Sequence, residues 1–302
     1  MLPLPREMSL MKQRFRDNIS GFAFILISLF WLLAFSGIPL VYSATLSLHR
    51  FQLFGKSPFV GFANYVAILH DKLFWVSIRN TFYFMLLAIP ARTVIALCLA
   101  AILVSTVRGA SVFKTVFFIP VVVSTIAVAY IWQWVYAPDA GLLSFTLNAV
   151  GLRSPDWLGN PGWAMPAIAL MRVWKDTGFV MVVYIAGLQG ISRTFYEAAT
   201  IDGATSIQKF LRITVPLLSP QTFFVIVMAI IGTFQIFSEI YVMTNGGPLN
   251  ATTTVVWYLY QNAFVDLRMG LASAVAWIMF AIILFFTVIQ FVLRRRWDYG
   301  TE

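Results

Sequence analysis

The chain has 302 residues, of which 60% are hydrophobic and only 11% are charged. Because an average soluble domain is about one quarter charged, this composition excludes an ordinary water-soluble fold. The net charge of +9 does not predict nucleic-acid binding, since the basic residues are scattered between apolar runs. The single cysteine, Cys98, rules out an intramolecular disulfide and leaves the redox compartment undetermined.

Six apolar runs are each long enough to cross a bilayer as a helix, which needs roughly 20 residues. They cover residues 21–46, 80–104, 115–136, 164–189, 217–243 and 271–293. The first run is too long for a signal-peptide core and is interpreted as a retained span. Since a spanning segment must satisfy its own backbone hydrogen bonds, the sequence predicts an all-α polytopic membrane protein with six transmembrane helices. Four prolines are expected to kink these helices rather than end them: Pro39, Pro90, Pro120 and Pro166.

Lys and Arg are distributed unequally between the two sides of the predicted membrane. The side that carries both termini holds 12 of them, and the connections on the opposite side hold 6. Because basic residues favour the cytoplasmic side, both termini are predicted to be cytoplasmic and the protein to lie in the cell (inner) membrane. The predicted segments are a basic amphipathic tail at 1–20, a first span with its outer connection at 21–75, a core at 76–293, and a second cytoplasmic tail at 294–302. A tail without fixed structure is the alternative for residues 1–20.

The connection at residues 190–216 is the longest one on the cytoplasmic side, and it is expected to form two helices. The first is predicted over 194–202, with Glu197 near its positively polarised N-terminal end and Gly203 as its C-cap. Thr205 precedes Gln208 by three residues, which is the spacing of a capping box at the start of a second helix.

Small residues follow one face of the first of these helices. Ala199 and Gly203 are four residues apart, and Ala198 and Ala204 lie beside them. Such a face lets another backbone approach closely. Without further information, an ordinary surface helical hairpin is an equally good interpretation.

The stretch "EAATIDGATSIQKFLRITVPLLSP" at 197–220 closely resembles the EAA loop of ABC importer permeases, here within residues 190–220. The matching positions are Glu197, Ala198, Ala199, Gly203, Ile213 and Pro216, and Asp202 and Ala204 are similar to the carbohydrate-importer branch. Three further stretches resemble the family in the expected order: "FVGFANYVAIL" at 59–69, "YIAGLQGI" at 184–191 and "MTNGGPLNATTT" at 243–254.

The resemblance implies a type I ABC importer permease fold and a set of partners. These are a second permease subunit, two copies of a cytoplasmic ATPase subunit and an extracytoplasmic solute-binding protein. ATP and Mg would be used by the ATPase, so this chain is expected to hold no cofactor and no metal and to have no catalytic residue. The residues expected to couple to the ATPase are Glu197, Ala198, Ala199, Asp202, Gly203 and Ala204. The candidates for contact with the binding protein are Asn245, Gly246, Gly247 and Pro248.

Five charged residues fall within the predicted spans, where ionisable groups are costly and usually face a bundle interior or an aqueous path. They are Arg92, Arg172, Lys175, Asp176 and Glu239. Arg172 and Asp176 have helical i, i+4 spacing, as do Gln235 and Glu239. Arg92 has no obvious helical partner and is interpreted as structural.

Two interpretations of these polar side chains remain open. The first is a solute path, for which the candidates are Arg172, Lys175, Asp176, Gln235, Glu239 and Trp134. The second is an interhelical ion pair that orients the bundle, for example between Arg172 or Lys175 and Glu239.

Three functions are weighed against one another. The resemblance implies the permease subunit of an ATP-driven importer for a sugar, oligosaccharide or polyol-type solute. A stand-alone secondary transporter or channel is the alternative, although it leaves the EAA loop without a role. An intramembrane enzyme has little support, because the two histidines, His49 and His70, both lie in the first outer connection and no nucleophile with a paired base is recognisable.

Overall fold

A computed structural model describes residue 22 and residues 25–52, 57–104, 109–138 and 140–294. This part of the chain is predominantly helical, and it contains an isolated antiparallel β-bridge between His49 and Phe59. The amphipathic tail predicted at 1–20 lies outside the described residues, as do residues 295–302 of the predicted C-terminal tail.

The described ranges contain helices of very different lengths. They are α1 (Ile25–Ser47), α2 (Ala63–His70), α3 (Lys72–Val104), α4 (Ala110–Val122), α5 (Thr125–Val135), α6 (Leu142–Ala149), α7 (Pro161–Gln189), α8 (Arg193–Ile201), α9 (Ser206–Leu217), α10 (Ser219–Phe234), α11 (Ser238–Met243), α12 (Val255–Tyr260) and α13 (Met269–Arg294). Single π-helical turns lie within α1 (Leu33–Gly37), within α9 (Phe210–Thr214) and directly after α12 (Gln261–Val265).

Within the described residues, each of the six predicted apolar runs is mostly helical. Among the described residues, three helices are long and apolar enough to cross a membrane, namely α1, α3 and α13, and the bent pairs α4–α5 and α9–α10 raise this number to five. Helix α7 is 29 residues long and carries three charged residues. At 1.5 Å per residue α7 is roughly 44 Å long, which is more than the thickness of a bilayer core.

Two of the runs predicted as continuous spans are broken. Helices α4 and α5 meet at an angle of 101°, with the break at residues 123–124. Pro120 therefore lies inside α4 and not at the bend. In the fifth run, α10 ends at Phe234 and α11 begins at Ser238, because Phe237 leaves helical geometry with φ −142°.

Helices α3 and α7 form the centre of the bundle, and α4, α5, α10 and α11 pack around them. The core between them is built from fully buried apolar side chains such as Phe84, Met165, Ile168 and Ile240. At Gly178 an added Cβ would lie 2.1 Å from the Phe117 carbonyl oxygen, so the backbones of α7 and α4 touch there. Close backbone approach at a small residue is a usual way for membrane helices to associate.

Helix α1 lies at the periphery of the bundle. It packs against α13 and contains no buried apolar side chain. Its apolar character therefore matches a segment that faces lipid or another subunit and not the core of this chain.

Candidate functional site

The two helices predicted in the longest connection are present and form the EAA hairpin, residues 193–217. Ser192 caps α8 by accepting a hydrogen bond from the Thr194 amide at 3.3 Å. Gly203 follows with φ +75°, in the left-handed region that favours glycine. The predicted capping box is complete, with Thr205 and Gln208 exchanging side-chain and backbone hydrogen bonds of 2.8 and 3.3 Å.

Side-chain hydrogen bonds tie the two helices of the EAA hairpin together. The Tyr196 hydroxyl lies 2.9 Å from Thr214 Oγ1, and Lys209 Nζ donates to Thr200 Oγ1 at 2.7 Å. Both bonds join α8 to α9. The two helices of the hairpin are therefore held together, and α9 is followed directly by α10.

The residues expected to couple to an ATPase lie on an accessible surface of the EAA hairpin. Glu197, Ala198, Asp202 and Gly203 are exposed, and Ala199 and Ala204 are half-buried. The expectation that Glu197 lies at the positive end of its helix is wrong. Because Ser192 starts the helix at Arg193, Glu197 is beyond the first turn, which contains no acidic residue, and the helix dipole acts mainly within that turn.

Four charged side chains meet between α3, α7 and α11 and form the polar cluster: Arg92, Arg172, Asp176 and Glu239. Asp176 Oδ2 accepts from Arg92 Nη1 at 2.8 Å and from Arg172 Nε at 2.7 Å. Arg172 Nη1 also donates to Glu239 Oε1. Two guanidinium groups are thus matched by two carboxylates, so the polar cluster is neutral as a whole.

The polar cluster departs from the sequence-based expectations at two positions. Arg92 has a partner after all, namely Asp176, which lies 84 residues away in sequence and so could not be found from helical spacing. Gln235 and Glu239 do not share a helical face, because the chain breaks between them. Glu239 is buried in the cluster, whereas Gln235 is exposed at the break.

Lys175 and Trp134, two of the solute-path candidates, lie apart from the polar cluster. Lys175 is buried on the face of α7 that packs against α4, and its Nζ lies 3.4 and 3.3 Å from the carbonyl oxygens of Pro120 and Val121. These carbonyls belong to the last turn of α4, where no further helical amide is available. Trp134 on α5 is 62% exposed.

A cavity of about 190 Å³ adjoins the polar cluster and is lined by residues of α3, α4, α7 and α10. Arg92, Arg172 and Asp176 provide its charged lining, and its other walls are mostly apolar. Thr233, two residues before the exposed Gln235, also lines it. The arrangement is a small, partly polar space beside a break in a spanning helix.

The residues expected to contact a binding protein lie in the GGP loop, residues 244–254. Asn80 Nδ2 donates to the carbonyl oxygens of Asn250 and Thr253 at 2.8 and 3.0 Å, which fastens the loop to α3. Gly246 is buried, with Trp257 2.8 Å from the position of an added Cβ. Leu249 is 90% exposed and was not among the expected contacts.

The candidates in the GGP loop thus differ in accessibility. Asn245 is exposed, Gly247 and Pro248 are half-buried, and buried Gly246 serves the packing of the loop.

No group of three or more His, Cys, Asp or Glu in the described ranges is arranged to hold a metal ion.

Comparison with known proteins assigns the chain to a family. Residues 82–299 match the family model of binding-protein-dependent transport system inner membrane components. A probable ABC transporter permease protein, YesP of Bacillus subtilis, is 35% identical over 93% of this chain and 92% of its own length. The trehalose/maltose transport system permease protein MalF of Thermococcus litoralis is 34% identical over 94% of this chain and 96% of its own length.

A solved structure has the same fold. The crystal structure of a bacterial ABC transporter involved in the import of the acidic polysaccharide alginate aligns with a TM-score of 0.80 at 24% identity, covering 95% of this chain and 99% of its own. The predicted fold class, an all-α polytopic membrane protein with the type I importer permease fold, is confirmed. The chain therefore belongs to the binding-protein-dependent transport system inner membrane components, and it is a permease subunit of an ABC importer.

Proposed function

We propose that this permease carries an uncharged polyhydroxylated solute, a sugar, oligosaccharide or polyol, through a path completed by a second permease subunit. Two copies of an ATPase subunit bind on the side of the EAA hairpin, and a solute-binding protein docks on the side of the GGP loop. Both termini lie on the ATPase side, in the cytoplasm. ATP hydrolysis takes place in the ATPase and not in this chain.

The charge balance of the polar cluster supports the proposal that the solute is uncharged. Each guanidinium group of the cluster already faces a carboxylate, and Lys175 is occupied by backbone carbonyls. No cation of the cluster is thus left over for a phosphate or carboxylate group of a solute. A relative that is 34% identical is a trehalose/maltose transport system permease, and both of these sugars are uncharged.

Gln235 is the residue we assign to the solute path. Its amide is exposed at the break between α10 and α11, and an amide both donates and accepts hydrogen bonds, which suits a hydroxyl-rich ligand. Glu239, by contrast, forms an ion pair with Arg172 and thereby holds α11 to α7. Replacing Gln235 by alanine should reduce transport of the solute, and unchanged transport and specificity would refute this assignment.

The exposed EAA hairpin carries the proposal of ATPase coupling. Glu197 is exposed, forms no ion pair with the described residues and lies beyond the turn in which it would stabilise its own helix. Its carboxylate is therefore free to accept hydrogen bonds from a partner subunit. A hydrogen bond to a charged group contributes about 1.5–3 kcal/mol, which corresponds to roughly 10- to 100-fold in affinity.

The test is reconstitution of the complete transporter with Glu197→Gln. We expect ATPase activity stimulated by the binding protein and solute to fall at least about tenfold, because the neutral amide of glutamine accepts weaker hydrogen bonds than the carboxylate. Asp266→Asn is the matched control, since Asp266 is also exposed but lies just before α13, outside the EAA hairpin. Full stimulation in Glu197→Gln would refute the coupling role.

A stand-alone transporter or channel makes the opposite prediction. The purified chain in vesicles would then transport solute without ATP or any other subunit. We expect no transport by the chain alone. Thermal-shift screening of the partner binding protein against sugars and polyols would identify the solute, and stabilisation by phosphorylated or acidic compounds alone would contradict the proposed solute class.

A further inference from the structure

The base of the EAA hairpin borders a second, open cavity of about 770 Å³, which lies apart from the polar cluster. It is bounded by the last turn of α3, the end of α7 and both helices of the hairpin. Its volume falls within the roughly 300–1,000 Å³ of ordinary ligand sites. Because α3 and α7 end here at Val104 and Gln189, the cavity lies at the hairpin-side ends of two long helices, where such helices leave the bilayer core.

The lining of this cavity is amphipathic. The apolar part of its wall is formed by Ala101, Val104, Leu188, Ile191 and Phe210. The polar part comes mainly from the hairpin and includes Arg193, Tyr196, Lys209 and Thr214. A ligand that fits both parts must combine an apolar body with a polar head.

The charge of the lining is positive. Arg193 and Lys209 form no ion pair with a carboxylate of the described residues, and neither of the hairpin's acids, Glu197 and Asp202, lines the cavity. Lys209 Nζ uses one hydrogen bond on Thr200 Oγ1, which leaves two of its three donors available. The cavity is therefore complementary to an anionic head.

An apolar track leads from the cavity along α3. Val94 and Cys98 precede Ala101 by seven and three residues, so all three lie on one face of the helix. Val94 is 60% exposed, and Cys98 is exposed as well. This face offers a place for an acyl chain whose head occupies the cavity.

The geometry points to a binding site for an anionic phospholipid of the leaflet on the hairpin side, with its phosphate between Arg193 and Lys209 and an acyl chain along α3. Basic pockets between transmembrane helices on the cytoplasmic side are known to bind anionic headgroups. The bound lipid would contact both helices of the EAA hairpin and the ends of α3 and α7. It would thereby hold the hairpin at a fixed height relative to the bilayer.

The experiment is native mass spectrometry of the purified full chain in detergent, titrated with dioleoyl phosphatidylglycerol and, in parallel, with dioleoyl phosphatidylcholine. We expect one phosphatidylglycerol to be retained per chain in preference to phosphatidylcholine. One basic residue near the membrane surface contributes about 1 kcal/mol, so each charge removed should weaken phosphatidylglycerol binding about fivefold. Arg193→Gln with Lys209→Gln should therefore weaken it about 25-fold.

Two controls keep the result interpretable. Arg212→Gln removes the same charge from the EAA hairpin, but Arg212 does not line the cavity, and this variant should bind as the natural chain does. Arg193→Lys with Lys209→Arg keeps both charges and should retain binding, which separates charge from folding.

Three results would overturn the inference. They are equal retention of phosphatidylglycerol and phosphatidylcholine, equal weakening by Arg212→Gln, and displacement of the lipid by millimolar free glycerol phosphate, which would assign the cavity to a soluble phosphate compound. No ATPase, partner permease or solute takes part in this measurement. Its outcome is thus independent of the proposed transport function.

Discussion

Replacing Asp176 by asparagine should destabilise the chain more than replacing Arg92 by methionine, although the two residues form one ion pair. Asp176 Oδ2 accepts from Arg92 at 2.8 Å and from Arg172 at 2.7 Å, whereas the side chain of Arg92 pairs with Asp176. Loss of Arg92 leaves Asp176 with Arg172. Loss of the Asp176 charge leaves Arg92, with only 13% of its side chain exposed, without a carboxylate.

The expected magnitudes follow from this asymmetry. Removing one partner of a buried ion pair costs about 3–5 kcal/mol, and we take the lower end, about 3 kcal/mol, for Asp176→Asn because the cluster borders a cavity. Arg92→Met loses one charged hydrogen bond, but it also removes the cost of burying a guanidinium group. The expected net destabilisation is therefore about 1 kcal/mol. The double variant removes both charges and should be more stable than Asp176→Asn alone by about 1–2 kcal/mol.

Equilibrium unfolding of the purified chain in mixed micelles at increasing dodecyl sulfate, followed by tryptophan fluorescence, measures all three variants. Arg172 and Glu239 are not replaced in any of the three variants, so Arg172 always retains one carboxylate partner. The interpretation of the cluster would be refuted if the two single variants lost equal stability. It would also be refuted if the double variant lost the sum of the single losses, since additivity means that the two groups do not interact.

Two further substitutions test the packing and the GGP loop. Gly178→Ala should cost about 1–3 kcal/mol and lower the Tm, because the new methyl group meets the backbone of α4. The control is Gly232→Ala on α10, where an added Cβ meets no atom within 4 Å, and this variant should leave the Tm unchanged or higher. Equal Tm values for the two variants would contradict the close backbone contact at Gly178. Asn80→Asp removes the amide that donates to two carbonyls of the GGP loop, and hydrogen exchange of the amides at 246–255 should become faster while exchange in α13 stays the same. An unchanged exchange rate in the loop would mean that Asn80 does not hold it.

Local signals predicted the EAA hairpin well. A capping box involves residues three apart, and a glycine in the left-handed region follows from the end of the preceding helix, so Thr205, Gln208 and Gly203 could be assigned from the sequence. The predicted position of Glu197 within its helix is wrong because the helix begins at Arg193, one residue before the predicted start at residue 194. A difference of one residue is enough to move a side chain out of the first turn.

Contacts between distant segments could not be predicted in the same way. The partner of Arg92 lies 84 residues away, and no helical spacing links the two. The breaks after Val122 and Phe234 were also missed, since an apolar window measures hydrophobicity and not direction. The prediction that Gln235 and Glu239 share a helical face is consequently wrong.

The bend between α4 and α5 has a consequence for how this permease is assembled in the membrane. The open carbonyl groups at the end of α4 find their donor in Lys175, a residue of the next spanning element and not of the bent segment itself. During synthesis the two carbonyl groups precede that donor by 55 and 54 residues, and lipid offers no hydrogen bond in its place. The sharp turn is therefore a property of the assembled bundle, and a fragment that ends before α7 should favour a straighter helix.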